Sequence, residues 1–247
     1  MNLLLDLGNT RLKWAPHGDS AALAAQACAW QDDMAPALAA AWQTLALPTR
    51  VVAASVVDAA REAAVAAAVH ARFGLDVQWV RTPAAACGVR NAYADADRLG
   101  IDRFLGMVAA LDAGCAPCVL AGCGTALTLD ALAADGRHLG GLIAPGPRLM
   151  QQAVQGATAR VRIDASAGAI VDSADNTADA LLSGSWHAAA ALVERFAARM
   201  ADRLGGAPRL LLSGGDAGAL AALIERPHVV RADAVLQGLA VWARADP

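Results

Sequence analysis

Lysine is almost missing from this sequence. Nineteen of its 20 basic residues are arginine, and the one lysine is Lys13. Aromatic residues are scarce at 4%, with a single tyrosine, Tyr93. Hydrophobic residues still reach 57% of the 247 positions, so a sizeable core is available for one large domain or two modest ones. Alanine supplies much of that fraction and favours helices. A strong charge of either sign is also lacking. The formal net charge of -3 leaves no electrostatic footprint for nucleic acid. No apolar run approaches the roughly 18 residues of a membrane span. The opening Met1-Asn2-Leu3-Leu4-Leu5-Asp6 has no basic region, and its apolar run is too short for a signal peptide. The expectation is a soluble cytoplasmic protein with neither nucleic acid nor membrane as a partner.

The five cysteines are an odd number without a secretion signal, which points to free thiols. Cys115-Ala-Pro-Cys118 has redox spacing, with Cys123 nearby. Cys118, however, opens an apolar run that reads as a buried strand, and no His/Cys pair lies at zinc-finger spacing. His17, His70, His138, His187 and His228 are scattered, without triad or ligand spacing, and no role falls to them.

The chain alternates strands with helices. Asn2 to Leu7 reads as a strand, Gly8-Asn9 as a tight turn and Thr10 to Ala15 as its hairpin partner. A third strand covers Ala24 to Trp30. Met34, Leu38, Trp42 and Leu45 share a helical face. Arg50 to Val57 reads as a strand, Asp58 as the N-cap of a helix to about Phe73, and Asp76 to Val80 as a strand. A helix from about Arg103 to Ala113 precedes a second cycle. Strands are expected at Pro117 to Gly122, Thr125 to Asp130 and Gly140 to Ala144, the last closed by Pro145-Gly146-Pro147. A long helix over Asn176 to Arg203, strands at Arg209 to Ser213 and His228 to Val230, and a helix over Ala232 to Ala243 complete the pattern. The order implies an α/β fold with mixed sheets. Leu4 to Thr10 and Leu120 to Thr125 open the two cycles alike: apolar strand, glycine turn, threonine, strand. That likeness predicts two duplicated domains, 1–114 and 115–247, with a cleft between them.

Four motifs carry chemistry. In Asp6-Leu7-Gly8-Asn9-Thr10-Arg11-Leu12-Lys13, a carboxylate ends a buried strand, where it is costly unless paired or holding a cation. Gly8 lets backbone amides approach an anion, and Thr10 adds a hydroxyl. One hard oxygen ligand with several donors suits a magnesium nucleotide, although the same residues also make an ordinary hairpin. Lys13 adds a compact charge that can follow a phosphate, where arginine would offer a rigid fork. Gly122-Cys123-Gly124-Thr125-Ala126 repeats the arrangement. Leu212-Ser213-Gly214-Gly215-Asp216 places paired glycines at a strand-to-helix junction, where a base or ribose can lie against the backbone. In Gly100-Ile101-Asp102-Arg103, Asp102 suits a base toward a hydroxyl and Arg103 an anion clamp; an exposed Asp-Arg ion pair is the plainer alternative.

Taken in order, these motifs resemble the actin, Hsp70 and sugar-kinase superfamily. Over nearly its whole length the chain is similar to type III pantothenate kinases. The matching stretches are Asp6-x-Gly-Asn-Thr-x-x-Lys13, Asn91-Ala-Tyr93 with Leu99-Gly-Ile-Asp-Arg103, Gly124-Thr-Ala-Leu-Thr-Leu-Asp130, Gly140-Gly-Leu-Ile-Ala-Pro-Gly146, Asn176-Thr177 with Ala180, and Ser213-Gly-Gly215.

The resemblance implies two ribonuclease-H-like domains with mixed sheets flanked by helices. It also implies ATP-dependent phosphorylation of pantothenate to 4'-phosphopantothenate, in the first step of coenzyme A biosynthesis. It makes Asp102 the general base and gives the triphosphate and its Mg2+ to Asp6, Leu7, Gly8, Asn9, Thr10, Arg11, Leu12 and Lys13. Thr125, Gly214 and Gly215 would join in ATP binding, and Tyr93, Gly100, Ile101, Asp102, Arg103 and Thr177 would contact pantothenate. A homodimer and a monovalent cation, K+ or NH4+, belong to the same picture. One departure bears on the cation: the family usually carries a carboxylate two residues before the second-hairpin glycine, where this sequence has Gly122. Two other readings share the fold, a non-catalytic regulatory accessory factor and an actin-like or chaperone-like ATPase.

Overall fold

The computed structural model describes residues 1–18, 23–31, 33–158 and 168–245. They form two compact units, one of Met1–Gly114 with the chain from Asp233 onward, the other of Cys115–Ala232.

The first unit contains β1 (Asn2–Leu7), β2 (Arg11–His17), β3 (Gln26–Ala29), α1 (Met34–Ala41), β4 (Arg50–Ser55), α2 (Ala59–Phe73) and β5 (Val77–Val80). A two-residue hairpin, β6 (Ala85–Ala86) with β7 (Val89–Arg90), and a 3-10 turn at Ala96–Arg98 lead to α3 (Ile101–Asp112). The sheet order is β3-β2-β1-β4-β5. β1 pairs antiparallel with β2 and parallel with β4. Side chains alternate along a strand. Leu3, Leu5 and Leu7 therefore enter one core with Leu12, Trp14, Val51, Val65 and Val69, while Leu4 and Asp6 lie on the other face. The Asp58 carboxylate caps α2 by accepting from the Arg61 amide, and Gly74, at φ 69°, ends that helix in the left-handed region.

The second unit contains β8 (Cys118–Cys123), β9 (Ala126–Leu132), β10 (His138–Pro145), α4 (Pro147–Ala157), α5 (Thr177–Leu204), β11 (Arg209–Ser213), α6 (Ala217–Ala221) and β12 (His228–Val230). Its sheet order is β10-β9-β8-β11-β12. β8 pairs antiparallel with β9 and parallel with β11, which repeats the first sheet strand for strand. The core joins Val119, Ala121, Leu127 and Leu129 to Trp186, Ala189, Val193 and Phe196 of α5.

The last helix, α7 (Ala234–Ala245), departs from the expected boundary of 115–247. It belongs to the first unit, not the second. Its buried residues Leu236, Gly238, Leu239, Ala240 and Ala243 form a continuous face. That face packs along α3, with Gly238 so close to the Leu105 carbonyl that a Cβ there would collide with it. Contiguity in sequence placed α7 with its neighbours; its apolar stripe places it on α3. α4 was not foreseen. It buries only Pro147, and three glutamines interrupt the short apolar side formed by Leu149, Met150, Ala153 and Val154.

Candidate active site

The β1–β2 hairpin turns through Gly8 to Thr10, held by the Gly8 amide donating to the Arg11 carbonyl at 3.2 Å. The Trp30 indole donates to the Gly8 carbonyl at 2.8 Å, which fixes the turn from the side. Leu7 and Leu12 face each other across the strands and are fully buried, so their side chains serve the core and only their backbone faces the hairpin. Asn9, Thr10 and Arg11 are exposed at the tip. Asp6 lies directly opposite Lys13 in the antiparallel register. Burial pushes the Asp6 carboxyl up to about 7; Lys13 opposes that rise, and Asp102 and Asp233 add to it. Asp6, Lys13, Asp102 and Asp233 are thus one electrostatic group within the first unit. Lys13 Nζ sits 2.8 Å from Asp233 Oδ1.

The loop ahead of α3 is organised by Asn91. Its carbonyl oxygen accepts from the Tyr93 amide at 2.9 Å, and its amide nitrogen donates to the Ala96 carbonyl at 3.0 Å. Thr82 Oγ1 donates to the Leu99 carbonyl at 2.7 Å. Asp102 stands in the first turn of α3, where its Oδ1 accepts from the Arg103 amide at 2.9 Å. Gly100 makes room for this carboxylate: a Cβ there would lie 2.5 Å from Asp102 Oδ1. Arg103, 7% exposed, donates through Nη1 to the Tyr93 hydroxyl at 3.2 Å and lies 5.8 Å from that ring's centre. Ile101 is buried and acts by packing. Tyr93, Gly100, Asp102 and Arg103 therefore form one cluster, tied electrostatically to Asp6.

In the second unit, the β8–β9 hairpin is gripped from two sides. A Cβ at Gly146 would strike the Gly124 carbonyl, and one at Gly214 would strike the Cys123 carbonyl. The Gly146 amide donates to the Thr125 carbonyl at 2.9 Å, and the Asp216 amide to the Cys123 carbonyl at 3.2 Å. Arg148 Nε reaches both Asp216 oxygens, at 3.0 and 3.1 Å. The Ser213-Gly214-Gly215 turn thus lies against the second hairpin, and Thr125 is exposed at its tip. Thr177 is exposed in the first turn of α5, in the unit that does not hold Tyr93 and Asp102.

The cysteines are free. Burial pushes the Cys118 and Cys123 thiols up to about 12, which leaves them inert as nucleophiles. Two features escaped the sequence reading. Asp233 was not singled out at all. His138 was given no role, yet its Nε2 lies 2.9 Å from Asp130 Oδ1, both side chains almost wholly buried. Asp130 already stood in a quoted motif, but nothing in the spacing tied it to His138. Among the described residues, no group of three or more His, Cys, Asp or Glu side chains could hold a metal ion. No described helix is long and apolar enough to cross a membrane.

Comparison with known proteins extends this picture. The family model for type III pantothenate kinase matches residues 2–199. A type III pantothenate kinase of Xanthomonas oryzae pv. oryzae (strain PXO99A) is 44% identical over 98% of this chain and 97% of its own. One from Laribacter hongkongensis (strain HLHK9) is 42% identical over 99% of both. Among solved structures, a Campylobacter jejuni protein assigned to the Baf family of transcriptional activators aligns with a TM-score of 0.63 at 17% identity, covering 98% of both chains. The activator of the 2-hydroxyisocaproyl-CoA dehydratase from Clostridium difficile, with bound ADPNP, aligns at 0.54 and 14%, covering 98% of this chain and 93% of its own. At such identities these structures speak for the fold alone, which is that of actin-like ATPases and sugar kinases. The family match and the near full-length identities agree with the order of motifs along the two units: the chain belongs to the type III pantothenate kinase family.

Proposed function

We propose that this protein transfers the γ-phosphoryl group of ATP to the primary hydroxyl of pantothenate, giving 4'-phosphopantothenate for coenzyme A biosynthesis. The observation that supports this reading is the electrostatic influence of Asp102 on Asp6 within one unit of a chain of this family, as a base for the hydroxyl near a phosphate-binding hairpin requires. Phosphoryl transfer needs positioning and charge neutralisation more than covalent chemistry. Asp102 takes the hydroxyl proton. Arg103, steadied by Tyr93, holds the pantothenate carboxylate. The backbone of residues 6–13, with Thr10 and Lys13, binds phosphate oxygens; Thr125 does so in the second unit, where Gly214 and Gly215 accept the adenosine.

A divalent ion such as Mg2+ would arrive with the triphosphate and would neutralise its charge. Such ions keep most of their waters and need only one or two carboxylates besides the phosphates, so Asp6, half-buried at its strand end, fits. K+ or NH4+ is a further candidate, with Gly122 supplying no carboxylate for it. A homodimer and a cytoplasmic location follow the family resemblance.

The test is ATP consumption by purified protein with and without pantothenate, with mass analysis of the product. Consumption that depends on pantothenate and yields the monophosphate is expected. ATP turnover indifferent to pantothenate, or none at all, rejects the reading in favour of a shape-changing ATPase or an accessory factor.

A further inference from the structure

Lys13 and Asp6 stand directly opposite each other on β1 and β2, so their side chains leave the same face of the sheet. Directly opposed Cβ atoms lie about 4.5–5.5 Å apart. An unsupervised ammonium there would settle on Asp6. Lys13 Nζ bonds to Asp233 Oδ1 at 2.8 Å, with the two side chains 23% and 28% exposed, while its charge still reaches Asp6.

Asp233 holds this place at a backbone cost. Its φ is 54°, and only one other non-glycine among the described residues, Cys87, lies in the left-handed region. Such conformations persist where the surroundings over-determine them, and they gather at functional sites. Here the surroundings are α7, which begins at the next residue and is seated on α3 through Gly238 and Leu105. The seating brings Asp233 into electrostatic reach of Asp6, as Asp102 also is.

We propose that Asp233 is a positioning residue that draws Lys13 off Asp6, keeping the Asp6 carboxylate open for the cation that accompanies the triphosphate. This rests on the phosphoryl-transfer reading above. It also explains the identity of the one lysine. A compact ammonium can be held by one carboxylate and still offer protons to a phosphate, whereas a guanidinium fork would span both aspartates.

The experiment uses Asp233→Asn, which keeps the size of the side chain and tolerates a left-handed backbone while removing the charge. Should that variant fail to fold, Asp233→Gly removes the charge and suits the same φ. The first readout needs no catalysis. The only lysine gives a single side-chain signal in a protein labelled with carbon-13 lysine. In nucleotide-free wild type this signal should be indifferent to added Mg2+. In Asp233→Asn it should start at a different position and move on Mg2+ addition, as the metal displaces the ammonium from Asp6. The second readout is kinetic: the Mg2+ concentration for half-maximal rate should rise about tenfold, the size of one charge-assisted contact, with a smaller change in kcat. Lys13→Gln added to Asp233→Asn should return the Mg2+ requirement toward that of Lys13→Gln alone.

A lysine signal that is the same in both proteins, or a variant that melts lower with an unchanged Mg2+ requirement, overturns the proposal and leaves the ion pair a simple strut. Absence of pantothenate phosphorylation with the expected behaviour of the lysine signal would instead remove the functional reading and leave the positioning of Lys13 standing.

Discussion

At the scale of single residues, the protein keeps a carboxyl where burial disfavours its charge. Asp6 titrates near 7 instead of 3.8. The folded state therefore holds this proton more tightly than the unfolded chain does. That contribution to stability is fully present below about pH 4 and is lost as pH rises through about 7. Asp6→Asn mimics the protonated form, so without nucleotide it should melt above wild type at pH 8 and level with it only below about pH 4; thermal scans on either side of that window decide this. The same variant should need far more divalent metal for activity. At Asp102 the expected effect is on rate: Asp102→Asn should keep ATP binding and lose roughly 10²–10⁴-fold in turnover, the range for a general base. A variant that turns over like wild type would take Asp102 out of that role. Asp6 could be singled out from sequence as a carboxylate at a strand end before Gly8, although the same residues also suit an ordinary hairpin. Asp233 could not. It lies 220 positions from Lys13, and its place depends on a left-handed backbone that only the packing of α7 explains.

At the scale of elements, the β8–β9 hairpin is set by glycines pressed against its carbonyls. Gly214, at φ 94°, lies on Cys123, while Gly124 at the hairpin tip meets nothing within 4 Å. Gly214→Ala should therefore cost about 1–3 kcal/mol, as expected for a non-glycine forced into that region, and weaken nucleotide binding. Gly124→Ala should leave stability near wild type. Urea unfolding with a nucleotide titration compares the two, and equal losses would show that the Gly214 contact does not hold the hairpin. The strands flanking both hairpins were readable from apolar runs cut by glycine, and α2 from its Asp58 cap. α4 was not, because its polar sequence packs little of itself away. The grip of Gly146 on Gly124 was hidden too, since Pro-Gly-Pro reads only as a strand end.

At the scale of the whole molecule, the repeated strand order makes Gly122 the counterpart of Asp6. Each stands one pair before the hairpin turn, opposite Thr128 and Lys13 respectively, with β11 or β4 as its parallel neighbour. Gly122 is not among the glycines with positive φ. A Cβ there would come 2.7 Å from Thr128 Oγ1, the end of a side chain that can rotate. Gly122→Asp should thus fold and should introduce or sharpen activation by potassium relative to wild type. Strong, saturable activation of wild type by low potassium would show that the missing carboxylate does not matter. The repeat itself was legible from two matching strand-glycine-threonine openings, but the path of the chain was not. The second unit is inserted into the first, whose closing helix comes after it. This has a consequence for synthesis. A chain leaving the ribosome can finish its second unit while α3 still lacks its cover, and Lys13 waits for its aspartate until residue 233 has been made. The β1–β2 hairpin is translated before the second unit and completed only after it, so an unfinished chain carries the motif without the Asp233 contact that α7 brings.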